Sequence, residues 1–504
     1  MSYKDRLSDI TRDGPSSVTS QLVDIFAAAI AAGELAPEDK LPPTRELAEI
    51  AEVNHLTAAR AYRRLAELGL VTARVGQGTF VRVGAAQRED TAGDGGRGNT
   101  DWQLYALPEE LETYGDRILA EMFRQAGRDD VIPLMVGYPA DELLPRERLA
   151  EVTAATLAEH GARVHQYADI EGVPELREQL AGVHRAEGLD DSPEEILVTT
   201  GVHQAMTLTA RAILRPGDTA ATESPTFPGS IDALRNTGAS VLPVRVDDDG
   251  LDVDGLEGLL RRRDIRLLAL QPRLHNPTGR DLSPERRERL CELAVRYGFF
   301  IVEDGAYGPL RFEGDPVPPL RAMLPSHVVY MSSFSKAVSP GMRTGWVSAS
   351  GPVFERIVRE KRNDDIHSAT LTQLVAARFL SDGGYPEQVG RAVGFYRERH
   401  DVLLEAVEQH FDRVATVSRP LGGGHLWLTF RDALDERDLY DEAVRQGVTF
   451  LPGGAMMAER PRATQIRLSY GYLEPDELRE GVRRLAVAVR AVRPRPRREA
   501  LPIT

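Results

Sequence analysis

The sequence has one cysteine, Cys291, among 504 residues, which excludes an intrachain disulfide. Its surroundings, ERLCELAVRYG, read as helix, so the thiol is expected as a small packing residue in a reducing cytoplasm. Long apolar runs are missing too. The richest alanine stretch, Ile25 to Ala32, is too short to cross a bilayer. The opening MSYKDRLSDITRDG carries charges where a signal peptide needs an apolar run, so neither secretion nor a membrane partner is expected. Positive charge is scarce: 62 Lys and Arg stand against 77 Asp and Glu, a formal net charge of −15. Net charge alone therefore does not draw the chain to nucleic acid or anionic lipid, although a local DNA-reading patch stays open. No internal repeat is present, and no metal site is expected.

What is present has the makeup of a globular protein, 42% hydrophobic and 28% charged. At roughly 100–200 residues per domain, the length predicts about three units. Residues 84–101, GAAQREDTAGDGGRGNTD, hold five glycines and almost no large apolar side chain, and read as a flexible linker. They divide a small unit, 1–83, from a large one, 102–492; residues 493–504 form a basic, proline-interrupted tail expected to be disordered. The first 83 residues hold 10 Lys and Arg against 11 Asp and Glu, so nearly all the acidity belongs to the remainder of the chain.

In the small unit a helix is predicted over Gln21–Ala32, ended by Gly33, and another over Thr44–Glu52 after Pro42 and Pro43. A third starts at Asn54 as N-cap; Ala58, Ala61, Tyr62, Leu65 and Leu68 recur at helical spacing and Gly69 closes it. Its other face carries Arg60, Arg63, Arg64 and Glu67. LVTAR and TFVRV then read as two strands joined by Val75-Gly76-Gln77-Gly78. This is the layout of a winged helix-turn-helix. Reading DNA needs a helix entering the major groove and cations on flanking phosphates, and the helix from His55 fits that role. Between Thr44 and Arg82 six Arg face four Glu, a modest surplus that leaves a protein-interaction module open.

The large unit alternates strands and helices, which predicts a mainly parallel sheet covered on both faces. Strands are expected at 266–270, 299–304 and 328–333, with a helix at 283–298. Three polar clusters follow or end these strands: His275-Asn276-Pro277-Thr278-Gly279, Asp304-Gly305-Ala306-Tyr307 and Ser333-Phe334-Ser335-Lys336. In an open α/β sheet all three face the crevice beyond the carboxyl ends of the strands. Each alone is weak, since NPTG also suits a simple turn and a Lys after a strand is commonly a solvated surface residue.

Together they supply what pyridoxal 5′-phosphate (PLP) needs. Lys336 can form a Schiff base with the aldehyde once its surroundings present a free amine. Asp304 can hold the pyridinium nitrogen protonated. Tyr307 and Asn276 can donate to the phenolate oxygen. A strand from Glu195 to Val198 leads into Thr199–Gln204, where Gly201, Val202 and His203 offer a phosphate cradle at a helix N-terminus. Arg343, with Ser333 and Ser335, can clamp the same phosphate.

From about Trp102 to Val492 the chain resembles a fold-type I PLP enzyme of the aspartate aminotransferase superfamily, with a large sheet lobe and a small α/β lobe. The matching motifs, in order, are YADIEGVPELR, TTGVHQAM, ESPTFPG, HNPTG, EDGAYG, SSFSK, GMRTGW and QIRLSYG. The resemblance implies that Phe227 stacks on the cofactor ring, that Tyr167 reaches the neighbouring subunit's cofactor phosphate, and that Arg467 grips a substrate α-carboxylate. His203 stands where relatives often have Gln or Ser, and Phe227 where Tyr is commoner.

KLPPTRELAEIAEVNHLTAARAYRRLAELGLVTARVGQGTFV resembles the GntR-type winged helix. With the arginines around it, this makes Thr44, Arg45, His55, Thr57, Arg60, Arg74, Gly76 and Gly78 the candidate contacts to double-stranded promoter DNA. His55 replaces a common arginine and cannot make its bidentate guanine contact. The whole chain resembles the MocR subfamily of GntR regulators. That implies a head-to-tail homodimer in which PLP, or an amine or amino acid effector reacting with it, alters transcription of vitamin B6, γ-aminobutyrate, taurine or similar genes. A working aminotransferase with an accessory winged helix needs nearly the same residues, so both readings stand on sequence.

Overall fold

The computed structural model describes residues 3–7, 10, 18–67, 70–74, 78–82, 120, 124–125, 128, 130–459, 461 and 463–493. The expected linker 84–101, Leu68, Gly69, Gly76 and the tail beyond 493 lie outside the described residues. The chain divides into two compact units, Met1–Leu111 and Glu112–Thr504.

The first unit packs the helices Val18–Ala31, Thr44–Ile50 and His55–Glu67 around one core. The first helix buries Leu22, Phe26, Ala29 and Ile30, the spacing of one helical face. The third starts as its sequence predicts, with Asn54 Oδ1 accepting the Leu56 N–H at 2.8 Å. It buries Ala58, Ala61, Tyr62 and Leu65 and leaves Arg60, Arg63 and Arg64 outside. The Tyr62 hydroxyl donates to the Pro42 carbonyl at 2.6 Å, and its ring lies 5.7 Å from that of Phe26. Strands β1 (Val71–Arg74) and β2 (Gly78–Val81) pair antiparallel, with Arg74 opposite Gly78. The wing of a winged helix is thus present.

In the second unit the strands are β3 (Ile132–Pro133), β4 (Ile196–Thr199), β5 (Thr219–Ser224), β6 (Ser240–Asp247), β7 (Gly250–Leu251), β8 (Ile265–Leu270), β9 (Phe300–Asp304), β10 (Val328–Ser333), β11 (Gly345–Ser348), β12 (Ala415–Val417), β13 (His425–Phe430), β14 (Val448–Thr449), β15 (Leu451–Pro452) and β16 (Gln465–Ser469). An eight-stranded sheet runs β4-β11-β10-β9-β8-β5-β6-β7. Its run from β10 to β6 is parallel, whereas β11 lies antiparallel between β10 and β4 and β7 closes antiparallel on β6. The sheet is therefore mixed around a parallel centre. The apolar residues of β4, β8, β9 and β10 divide among three buried clusters, which is why these strands read as unbroken hydrophobic runs. The helix Pro284–Tyr297 has Ser283 before its first turn, proline at its start and Gly298 in the left-handed region at its end, φ 70°.

A smaller antiparallel sheet, β12-β13-β16-β15, has the helix Gly384–Phe411 against β12; that helix packs on Pro475–Ala491, which also contacts the parallel pair β3 and β14. Among the described residues no helix is long and apolar enough to cross a membrane, and no group of His, Cys, Asp and Glu is placed to hold a metal ion.

Candidate functional site

Because β10, β9, β8 and β5 are parallel, their carboxyl ends share one edge of the sheet, and β4 ends there too. Leu270 is in register with Glu303, so the next residues, Gln271 and Asp304, fall side by side. Asp304 is buried; its Oδ2 accepts from Gln271 Nε2 at 2.7 Å and its Oδ1 from the Ala306 N–H at 2.9 Å. Burial pushes its carboxyl above the usual range, opposed by these hydrogen bonds and by the charge of Lys336. Lys336 is half-buried, donates to the Gly137 carbonyl at 2.6 Å, and lies 5.4 Å from the centroid of the Tyr307 ring. The expected lysine, aspartate and tyrosine are thus neighbours.

Sequence reasoning missed Gln271. Its Oε1 accepts the Asn276 N–H at 3.0 Å, and its own N–H donates to Glu223 Oε2 at 2.7 Å. One residue therefore ties Asp304, Asn276 and Glu223 together. Its position directly after a buried strand was the available signal.

Gly201 precedes the helix Val202–Ile213 at φ 126°, where a Cβ would lie 3.2 Å from Arg343 Nη2. The arginine therefore sits against the helix N-terminus, whose free N–H groups and positive dipole end attract a phosphate. Among the described residues Arg343 meets no carboxylate, and its guanidinium donates through Nη1 to the Pro340 carbonyl at 3.5 Å. Ser333 is buried nearby in sequence, its Oγ accepting the Ser335 N–H at 3.3 Å. A Cβ on Gly229 would strike Phe227 Cε1 at 2.5 Å and His203 Nδ1 at 2.8 Å, so those two rings converge over a glycine. Tyr167 is 81% exposed, edge-on to His367 at 5.3 Å.

Arg467 is 7% exposed. It donates through Nη1 to Asn276 Oδ1 at 3.2 Å and through Nη2 to the Met135 carbonyl at 3.0 Å, while its buried Nε has no partner. Burial lowers the guanidinium to about 10. A buried cation without a counter-charge is costly, and an arriving carboxylate relieves it. Because Asn276 turns its oxygen to Arg467, its amino group is the half left to donate elsewhere. Tyr307 was expected to face the cofactor; its hydroxyl also lies 2.8 Å from Nε2 of His425, a histidine no motif pointed to.

In the first unit Arg45, His55, Arg60 and Gly78 are exposed, and Thr44 and Thr57 half-buried. Arg45 follows the start of one helix and His55 opens the next. Only the backbone of Arg74 is described. Two features went unread in the sequence. Leu56 is 63% exposed beside His55. Lys40 runs along the wing, where a Cβ on Gly78 would lie 2.8 Å from its Cε.

Known proteins share both units. Residues 129–485 match the family described as aminotransferase class I and II, and residues 19–81 the bacterial regulatory proteins of the gntR family. The chain is 32% identical to aromatic-amino-acid aminotransferase 1 of Thermococcus litoralis, covering 77% of this chain and 95% of that protein. It is 30% identical to the HTH-type transcriptional regulator TauR of Rhodobacter capsulatus, over 95% of this chain and 97% of the relative. The crystal structure of LysN, an α-aminoadipate aminotransferase of Thermus thermophilus complexed with N-(5′-phosphopyridoxyl)-L-leucine, superposes with a TM-score of 0.71 at 32% identity, covering 77% of this chain and 98% of that one.

Proposed function

The chain belongs to the aminotransferase class I and II family and carries a gntR-type regulatory domain ahead of the enzyme-like one, and from this premise we propose that it is a PLP-responsive transcriptional regulator of the MocR type. The observation that carries the reading is one chain holding both a gntR-type helix with Arg60, Arg63 and Arg64 exposed and a buried set of groups that fit PLP. In this reading residues 1–83 contact double-stranded promoter DNA, 84–101 link, 102–492 sense, 493–504 trail, and the protein acts in the cytoplasm.

The residues fit the cofactor. The Gly201 cradle admits no Cβ without pressing on Arg343, which has no carboxylate partner among the described residues, and Arg467 has a buried Nε without a partner. When bound, PLP supplies an aldehyde that captures amines and a ring that withdraws electrons. Lys336 is the amine that would hold the aldehyde. Asp304 keeps the ring nitrogen protonated, with Gln271 fixing its carboxylate. Phe227, beside His203, covers a ring face. Gly201, Val202 and His203 present N–H groups to the phosphate, with Arg343, Ser333 and Ser335 around it. Asn276 donates its amino group to the phenolate oxygen, and Tyr307 stands beside it. Arg467 takes the carboxylate of an amino acid effector. Tyr167, exposed in the single chain, reaches the phosphate across a head-to-tail homodimer.

Regulation requires the effector to bind one state of that dimer better than another. Candidate DNA contacts are Thr44, Arg45, His55, Thr57, Arg60, Arg74, Gly76 and Gly78. The regulated genes serve vitamin B6 or amino-compound metabolism. Protection of neighbouring promoter DNA should depend on PLP or an amine, and that dependence should vanish in Lys336→Ala together with the visible absorption of the bound cofactor. Promoter binding indifferent to both ligands would overturn the reading.

The second reading is a working aminotransferase, favoured by Lys336, Asp304, Asn276 and Arg467 standing together. Multiple turnovers on a panel of amino acids and 2-oxo acids would support it; a sensor stalls after capture.

A further inference from the structure

Tyr307 is backed by a chain of hydrogen-bonding groups. His425 Nδ1 lies 3.0 Å from Ser469 Oγ, and Ser469 Oγ lies 3.3 Å from the Met135 carbonyl oxygen. His425 and Ser469 are register partners on β13 and β16, which sets their side chains on one face. A carbonyl only accepts. The Ser469 hydrogen therefore points to Met135, the His425 ring hydrogen sits on Nδ1, and Nε2 accepts the Tyr307 hydroxyl. The ring carries one hydrogen because burial, with the charges of Arg467 on β16 and Lys336 beyond β10, holds His425 well below the usual histidine range. Tyr396, on the helix Gly384–Phe411, packs beside these groups with its hydroxyl donating to the Lys336 carbonyl at 3.2 Å.

A second arrangement uses the same three hydrogens. With the ring hydrogen on Nε2, His425 donates to the Tyr307 oxygen, Ser469 donates to Nδ1, and the Tyr307 hydrogen turns toward the cofactor's phenolate oxygen. The two differ by two hydroxyl rotations and one ring proton, lost at one nitrogen and regained at the other by exchange with water. The second arrangement takes the Ser469 donor from Met135, whose carbonyl keeps Arg467 Nη2 at 3.0 Å. A buried carbonyl left with no donor is costly, so Arg467 is what permits the second arrangement.

We propose that His425 and Ser469 couple Tyr307 to Arg467: a carboxylate that draws Arg467 off Met135 fixes the Ser469 hydrogen on Met135, the ring hydrogen on Nδ1, and the Tyr307 hydrogen away from the cofactor. The inference rests on the reading of this unit as a PLP site with its carboxylate grip at Arg467. His425 is then a positioning residue that carries carboxylate occupancy to the electronics of the cofactor. A phenolate that loses a donor is more basic, so the proton it shares with the Lys336 nitrogen is held more tightly.

The test uses the full-length protein loaded with PLP, and propionate, a carboxylate without an amino group to react. Propionate should shift the visible band toward its protonated form in the wild type, and by less than half as much in Ser469→Ala and His425→Phe. Equal shifts in all three proteins, or none in the wild type, overturn the coupling. Ser469→Ala removes a single oxygen and serves if His425→Phe does not fold. In the cofactor-free chain, ring ¹⁵N shifts of His425 should place the hydrogen on Nδ1; finding it on Nε2 also overturns the assignment. A chain that develops no visible band with PLP fails at the earlier step, the PLP reading itself.

Discussion

Gln271 holds Asp304 in place: its Nε2 reaches Asp304 Oδ2 at 2.7 Å while its Oε1 takes the Asn276 N–H at 3.0 Å. Two groups assigned to the cofactor thus share one support. Replacing Gln271 by Leu keeps the volume and removes both bonds. Asp304 then has less to oppose the upward push of burial and partners the ring nitrogen less well. PLP affinity should fall roughly tenfold to a hundredfold, the effect of about 1.5–3 kcal/mol for a hydrogen bond to a charged group. Fluorescence titration of PLP measures this, and an unchanged dissociation constant refutes it.

Glu223 supplies a pH dependence. Burial pushes its carboxyl up to about 8 in the folded chain, against an ordinary 4.5. The folded state then keeps a proton that the unfolded chain has lost, so its contribution is full below pH 4.5 and is lost as pH rises toward about 8. Glu223→Gln keeps an oxygen for the Gln271 N–H and does not titrate. It should gain stability relative to wild type between pH 5 and 8, by as much as about 4 kcal/mol at 1.36 kcal/mol per unit. Thermal midpoints across that range decide it; a constant difference between the two proteins contradicts the assignment.

Arg467→Ala separates two kinds of ligand. Response to a carboxylate-bearing effector should weaken by roughly a hundredfold, in line with about 2–5 kcal/mol for a buried charged pair. Binding of free PLP should weaken much less, because the phosphate cradle at Gly201 and Arg343 is elsewhere along the strand ends and only the bond that orients Asn276 is lost. Parallel titrations with PLP and with an amino acid distinguish these outcomes.

At the DNA face, Arg60→Ala should weaken binding to all sequences alike and lower the salt slope by about 1, the signature of one lost phosphate contact. His55→Arg should instead tighten binding to sites offering a guanine, because a guanidinium makes the bidentate contact that imidazole cannot. Fluorescence anisotropy over a salt series reads both. An unaltered slope in Arg60→Ala removes that residue from the interface.

Much of the site was legible in the sequence for a physical reason. The central parallel strands are apolar on both faces, so β8, β9 and β10 stood out and their polar ends marked the crevice where Asn276, Asp304 and Lys336 meet. The helix expected at 283–298 is found at Pro284–Tyr297, since a proline in the first turn and a left-handed glycine, Gly298, after the last are local chemistry. Strand direction is not local: nothing in Gly345–Ser348 says that β11 inserts antiparallel between β10 and β4. His425 was hidden similarly. It opens a buried strand, HLWLTF, and its meaning lies in Ser469 across the sheet and Tyr307 from another lobe. Gln271 looked like an ordinary polar residue after a strand until register set it beside Asp304.

The bond from the Tyr62 hydroxyl to the Pro42 carbonyl has a mechanical consequence. Pro42 lies at the doorstep of the helix Thr44–Ile50, and Tyr62 is midway along His55–Glu67, so the two helices that present Arg45 and His55 are latched to each other through a buried contact. The unit that carries Arg45 and His55 is therefore stiff rather than pliable at this point. A push on either helix therefore displaces Arg45 and His55 together, as one piece.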